Sequence, residues 1–335
     1  MNTTWLTLSK ERKIELLNQA TAITGFPGNA IEKDWWVSLC LHASFSLPYS
    51  GNLVFKGGTS LSKGWDLIAR FSEDIDLAID RRFFGFEGDL SKTQIRKLRK
   101  KSCEFISTTF VEDLTKILAD WGAITACTLF AQPQTESDKD PQVIEIHYTS
   151  VFASSEYLPE RVLIEISARS LMDPTEKREI NSILSQSFPD LDFTTEALSI
   201  PIVLPQRTFL EKIFLLHEEF SQAFEKIRVS RLSRHLYDLE KLMDTPHGIA
   251  ALQNKDLYKN IVRHREKFNP LMGLNYGNHR PDKIMLMPPD TVIKEYERDY
   301  LEMARFMIYG EALPFDRLKK RISELQKRIN EIEQS

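Results

Sequence analysis

The sequence predicts an α+β protein in which helices flank a mixed β-sheet and a helical bundle ends the chain. Two changes of period predict it. Up to Ser46 the apolar residues recur at helical spacing, whereas between Leu53 and Ser170 several short runs alternate with period two. After Pro205 the spacing of three and four returns and persists. No internal repeat or low-complexity linker interrupts the chain. The expected organisation is residues 1–205 as N-terminal helices with an α/β core, and residues 206–335 as a helical bundle packed against it.

Ile14, Leu17, Ala20 and Ile23 set one face of a first helix; Ser9 is placed to cap it, although Arg12 stands where a capping box prefers Glu. The break GFPGNA precedes a second helix through IEKDWWVSLCLHASF. NLVF reads as a strand and SLSKGWDLIA as a helix. DIDLAID is a strand that turns Ile75, Leu77 and Ile79 to one side and Asp74, Asp76, Ala78 and Asp80 to the other. A basic helical segment runs from Ser91 to Leu118. ITACTLFAQ, QVIEIHYTSV and RVLIEISARS are further strands, the first two joined by the polar loop PQTESDKDP, and LSIPIVLPQ reads as a sheet-edge segment because prolines interrupt it. Four helical stretches beginning at Arg207, Arg231, Ala251 and Arg317 build the bundle. In the last, Leu318, Ile322, Leu325, Ile329 and Ile332 form a stripe of barely two heptads, so packing within the chain's own bundle, and a monomer, are expected.

Composition bounds the partners. The chain is 42% hydrophobic and 27% charged with a formal net charge of −4, so any nucleic-acid surface must be local. Cys40, Cys103 and Cys127 are widely spaced and lack the paired pattern of a zinc site, which points to buried, reduced thiols. No apolar run approaches the roughly 18–20 residues that cross a bilayer, and the N-terminus lacks a signal pattern. A cytoplasmic protein with no membrane partner is expected.

The chemistry concentrates between Lys56 and Asp80. Two residues apart on a strand, Asp74 and Asp76 project to the same side with backbones about 6.5–7 Å apart, within reach of one ion. Like charges this close repel unless a cation neutralises them, and oxygen-only ligands select a hard ion such as Mg²⁺ or Mn²⁺. A solvated acidic strand face is the plain alternative. Gly57 and Gly58 leave backbone open to a phosphate, and Thr59 and Ser60 place hydroxyls and amides at a helix start. Lys56 and Lys63 flank this turn and either screen phosphate charge or are simply solvated. Glu165 sits within an apolar strand where an unpaired carboxylate is costly. It either completes a three-carboxylate set that can bridge two metal ions or pairs with Arg161 or Arg169.

A glycine turn followed by D-x-D on the next strand and a lone acid on a later strand resembles the polymerase-beta-like nucleotidyltransferase fold. More narrowly, FKGGTSLSKGWDLIARFSEDIDLAI resembles the AbiEii/AbiGii toxin family, the nucleotidyltransferase-like toxins of bacterial abortive-infection and MenT-type toxin–antitoxin systems. IEKDWWV, FLEKIFLLHE, SRHLYDLEKL and the stretch from Glu297 to Asn330 resemble the same family, so the likeness spans nearly the whole chain. It implies a metal-dependent nucleotidyltransferase that moves a nucleotide from a triphosphate to RNA. In the MenT-type toxins the acceptor is tRNA, whose blocked 3′ end stops translation. It also implies a separate antitoxin protein. By position, Gly58 and Ser60 belong to the phosphate turn, Asp74 and Asp76 hold metal, Lys212 is the lysine of the first bundle helix, and Asp238 is the acid of the R-[DH]-L-Y-D-L block. Many relatives carry an acid where this chain has His235.

From the residues themselves, Lys212 is either a point charge reaching past an apolar face to the triphosphate or a surface lysine paired with Glu211 or Glu219. Arg234 and Asp238 are an i, i+4 pair on one helix. For RNA, the strongest basic run is SKTQIRKLRKK, with Arg96, Lys97 and Lys100. A second lies at HREK and NYGNHRPDK, where Tyr276 can stack on a base. The same metals and turn suit a kinase that moves a γ-phosphoryl group to a protein or small molecule, and this is the alternative reading.

Overall fold

A computed structural model describes residues 2–72, 74–133, 140–153 and 158–332; most of the polar loop expected before Gln142, residues 134–139, lies outside them. The chain forms two compact units. The first comprises residues 1–65 and 71–203, and the second comprises residues 66–70 and 204–335.

The first unit opens with helices α1 (Thr4–Thr7), α2 (Lys10–Thr24) and α3 (Gly28–Phe45). Strand β1 (Leu53–Lys56) runs directly into helix α4 (Gly57–Lys63), followed by β2 (Asp74–Ile79). Helices α5 (Lys92–Phe105) and α6 (Val111–Asp120) are joined through one π-helical turn at Ile106–Phe110. Strands β3 (Cys127–Ala131), β4 (Gln142–Tyr148), β5 (Arg161–Ser167) and β6 (Thr175–Ile180), helix α7 (Ile183–Ser187) and strand β7 (Leu198–Val203) complete it. The seven strands form one mixed sheet in the order β3-β4-β5-β2-β1-β7-β6. β2 and β5 are parallel, as are β1 and β7; the other neighbours are antiparallel.

Period two decides the faces. Ile75, Leu77 and Ile79 on β2 and Val162, Ile164 and Ile166 on β5 are fully buried, while Asp74, Asp76 and Glu165 on the other face are only half-buried. Helix α3 packs on β2 and β5, and α6 packs on β3 and α3. Because α3 is buried almost all round, its three consecutive charges must each find a partner. Glu32 accepts from the Ser150 hydroxyl and the Val151 amide, Lys33 donates to the Pro159 carbonyl, and Asp34 accepts from Lys63 at 2.5 Å and from the Ile183 amide at 2.7 Å. All three cysteines are buried free thiols, and burial pushes Cys127 up to about 11.

Two expectations fail here. The segment ending at Val203 is not the sheet edge: β7 lies between β1 and β6. The true edge, TEKREI, carries four consecutive charged, exposed residues, a sequence without the apolar alternation that marks a strand and one that discourages pairing with another chain. The helix expected through Ala69 ends at Lys63, and Asp66 adopts a left-handed φ of 51°. Asp66–Arg70 instead belongs to the second unit, where Arg70 forms a β-bridge with Ile308.

The second unit is otherwise helical: α8 (Pro205–Phe220), α9 (Ser233–Leu242), α10 (Pro246–Gln253), α11 (Lys255–Phe268), α12 (Ile293–Phe306) and α13 (Phe315–Asn330). α8 is buried on most of its surface and contacts α9, α10 and α11. The stripe of α13 buries Leu318, Ile322, Leu325 and Ile329 within this unit, against α9 and α12. No helix among the described residues is long and apolar enough to cross a membrane.

The Lys63–Asp34 pair is only 7% exposed at each side chain. Asp34→Ala, which strands a buried ammonium and the Ile183 amide, is expected to lower unfolding free energy by about 3–5 kcal/mol in urea denaturation. Combining Asp34→Leu with Lys63→Met should recover part of that loss.

Candidate functional site

The acids of β2 and β5 meet by register. Asp76 lies opposite Lys56 of β1 on one side and opposite Glu165 of β5 on the other, and Asp74 lies one pleat along, opposite Leu163. Lys56, Asp76 and Glu165 therefore form a cross-strand row on the half-buried face.

Gly57 follows Lys56 with a left-handed φ of 79°. A Cβ built on it would lie 1.9 Å from Oδ2 of Asp76, so the carboxylate occupies the space a side chain would fill. Only glycine satisfies both the backbone angle and this approach. The rest of the turn is fastened to the acid strand. The Thr59 hydroxyl donates to the Asp74 carbonyl and lies 2.8 Å from the Ser72 hydroxyl, and the Ser60 hydroxyl donates to the Gly57 carbonyl at 2.8 Å. Thr59 and Ser60 are fully buried; Gly57 and Gly58 are half-buried. Lys63, at the other end of α4, is engaged with Asp34.

Among the described residues no three His, Cys, Asp or Glu side chains come together closely enough to hold a metal ion. Same-face residues along a strand start about 6.5–7 Å apart, so these side chains must swing to converge on an ion. Asp76 with Glu165 beside it, and Asp74 on the same face, nonetheless supply hard oxygen donors. They fit Mg²⁺ or Mn²⁺ as such ions are commonly held, by one or two carboxylates with substrate phosphates and water completing the shell.

In the helical unit, Lys212 and Asp238 belong to one buried charge cluster. Arg70 grips Asp238 with both carboxylate oxygens, at 2.6 and 2.7 Å, and Lys212 donates to the same carboxylate at 2.8 Å. Lys212 also lies 3.4 Å from Nδ1 of His235. Burial opposes ionisation of Asp238, but the Arg70 and Lys212 charges outweigh it and hold its carboxyl well below the usual range. Burial, reinforced by the charges of Lys212 and Arg234, keeps the His235 imidazole neutral, so Nδ1 can accept from the ammonium. The two suggested surface partners of Lys212 are otherwise occupied: Glu211 accepts from Arg207 and Glu219 from Arg228. Arg70 has no counterpart in the sequence reading; its partner stands 168 residues away and no spacing rule connects them.

Arg96, Lys97 and Lys100 are exposed on α5, whose start is fixed by a capping box between Ser91 and Gln94. Tyr276 stacks on His279, with ring centres 4.6 Å apart.

Residues 43–321 match the family model described as nucleotidyl transferase AbiEii toxin, type IV toxin–antitoxin system. Among solved structures, the MenT4 nucleotidyltransferase toxin of Mycobacterium tuberculosis H37Rv aligns with a TM-score of 0.43 at 17% identity, covering 96% of this chain and 99% of that one. JHP933 from Helicobacter pylori aligns with a TM-score of 0.36 at 16% identity, covering 88% and 89%. No curated protein matches the chain.

Two measurements test this geometry. Gly57→Ala and Gly25→Ala impose the same left-handed strain, about 1–2 kcal/mol, but Gly25 has open space around it. Gly57→Ala is expected to cost more in denaturant unfolding, the excess reporting displacement of Asp76. The second concerns His235. Below an unfolded pKa of about 6.5, the unfolded chain takes up a proton that the buried imidazole refuses, so stability falls with pH by up to about 1.4 kcal/mol per unit for this site. Urea denaturation of His235→Gln between pH 5 and 7 should show a slope reduced by about one proton.

Proposed function

Because the chain belongs to the AbiEii family of nucleotidyltransferase toxins of type IV toxin–antitoxin systems, we propose that it transfers a nucleotide from a nucleoside triphosphate to the 3′ end of tRNA and so blocks translation. The observation that carries this reading is the Asp76 carboxylate seated against Gly57, with Glu165 beside it in register. That contact sets a carboxylate oxygen against a turn whose two glycines carry no side chain to block a phosphate chain.

Asp74 and Asp76, with Glu165, would hold Mg²⁺ or Mn²⁺, which when bound offsets the charge that builds on the phosphates. The chain's own residues position the reactants. Backbone at Gly57 and Gly58 admits the triphosphate, and Lys56, in the same row as Asp76, adds a cation. Thr59 and Ser60 act by holding the turn on the acid strand, and Lys63 by fixing α4 through Asp34. Within the helical unit, Asp238 holds Lys212 and Arg70 in a fixed cluster. Arg96, Lys97 and Lys100 contact the RNA backbone. The acceptor hydroxyl oxygen bonds to the α-phosphorus, the bond from that phosphorus to pyrophosphate breaks, and the hydroxyl proton passes to solvent. Such a reaction asks mainly for alignment and charge compensation. A cognate antitoxin protein restrains the activity.

Incubation with each α-labelled triphosphate, total cellular RNA and Mg²⁺ tests the proposal. Label should enter tRNA, and Asp76→Ala should reduce incorporation by at least about 100-fold; chelation of the metal should do the same. Equal labelling by wild type and Asp76→Ala would reject the site. Label retained from γ-labelled but not α-labelled triphosphate would identify a kinase instead.

A further inference from the structure

Helix α11 of the helical unit carries Lys255, Lys259 and Arg263 at successive four-residue steps, which places them on one face. Together with Arg280 they surround a cavity of about 460 Å³, within the range of roughly 300–1,000 Å³ usual for small-ligand sites. Among the described residues no acidic side chain lines it. Among the described residues neither Lys259 nor Arg263 is paired with a carboxylate, although the protein as a whole is acidic. Its wall includes Tyr276 stacked on His279.

That wall is held in place by hydrogen bonds. The Tyr276 hydroxyl donates to the Asn269 carbonyl and accepts from the Leu271 amide. His279 is 2% exposed; its Nε2 lies 3.0 Å from Glu218, which Arg265 also grips, while its Nδ1 is buried with no hydrogen-bond partner. Arg280 is held by Asp282, but Lys259 and Arg263 call for an anion, and the stacked rings for a planar group.

We infer that this cavity binds a nucleotide unit, phosphate against the α11 cations and base against the Tyr276–His279 wall. None of its residues belongs to the glycine turn or the acid strands. An acidic peptide satisfies the cations but offers no planar group, and a concavity of this size receives one unit instead of a helix. The same chemistry comes from a free mononucleotide or from one residue of an RNA. As a seat for the acceptor RNA the cavity rests on the transfer reading above; as a nucleotide site it is tested by binding alone.

Calorimetric titration of the full-length protein with AMP, GMP, CMP and UMP, a short single-stranded RNA, inorganic phosphate and a poly-glutamate peptide provides the test. Asp76→Ala should bind mononucleotide like wild type, whereas the exposed double variant Lys259→Glu/Arg263→Glu should bind at least about tenfold more weakly with an unchanged melting temperature. Tighter binding of the oligomer than of any mononucleotide assigns the site to RNA, and equal binding assigns it to free nucleotide. The inference is overturned if no nucleotide binds, if Asp76→Ala and not the double variant loses binding, if phosphate alone binds as tightly as a nucleotide, or if poly-glutamate binds in its place. Nucleotide binding here without label transfer to RNA would reject the transfer reading and leave this site standing.

Discussion

The approach of the Asp76 carboxylate to the backbone of Gly57 is the contact on which the arrangement of the sheet's polar face depends. It constrains three elements together: the end of β1, the first turn of α4 and the middle of β2. The hydroxyls nearest the turn are spent within the protein, Thr59 on the Asp74 carbonyl and Ser60 on the Gly57 carbonyl. Their effect is to lock turn and acid strand into one geometry before any ligand arrives. Preorganisation of this kind keeps the cost of alignment out of the reaction itself.

Buried charge is the second constraint, and it is met locally in both units. In the first, Glu32, Lys33 and Asp34 leave one helix in three directions and tie it to the Ser150 loop, the Pro159 carbonyl, α4 and α7. In the second, Asp238 collects Arg70 and Lys212. Replacing such pairs with apolar residues is often tolerable, whereas removing one partner is not, so each fixes a specific neighbour more than it adds net stability. Arg70 shows the consequence for chain path. Its side chain is only 2% exposed and bidentate on Asp238, which draws the Asp66–Arg70 segment into the helical unit and ends the helix that propensity alone would continue.

Much of the fold was legible because burial follows period. The alternation of DIDLAID and RVLIEIS, and the three-and-four spacing after Pro205, reported real faces, and these yield the mixed sheet and helical bundle. What escaped was encoded elsewhere. β6 is a strand by virtue of pairing with β7, and its charged residues carry no apolar signal. The extent of α4 was set by a left-handed Asp66 and a partner 168 residues from Arg70, neither of which a local window sees. At the candidate site, residue types and strand faces were readable, since a pleat fixes which side a residue takes. The distances between carboxylates were not, because they depend on side-chain rotation and on what the acids hold. The cavity beside α11 was half visible, as a basic run with a tyrosine, but its concavity requires the loop after Phe268 to fold back onto the helix.

His235 sets the charge balance of the Asp238 cluster. An acid at that position would place two carboxylates against Arg70 and Lys212 and bring those four groups to neutrality. A neutral imidazole leaves two cations on one carboxylate, a positive excess in a pocket where water screens little. Arg70 is committed to Asp238 through both oxygens, so the excess falls on the Lys212 ammonium, which has three hydrogens and makes one strong bond to Asp238 and a long contact to His235. Burial pulls the lysine pKa down, against the pull of Asp238. A neutral His235 therefore makes the Lys212 ammonium the under-compensated charge in the interior of the helical unit.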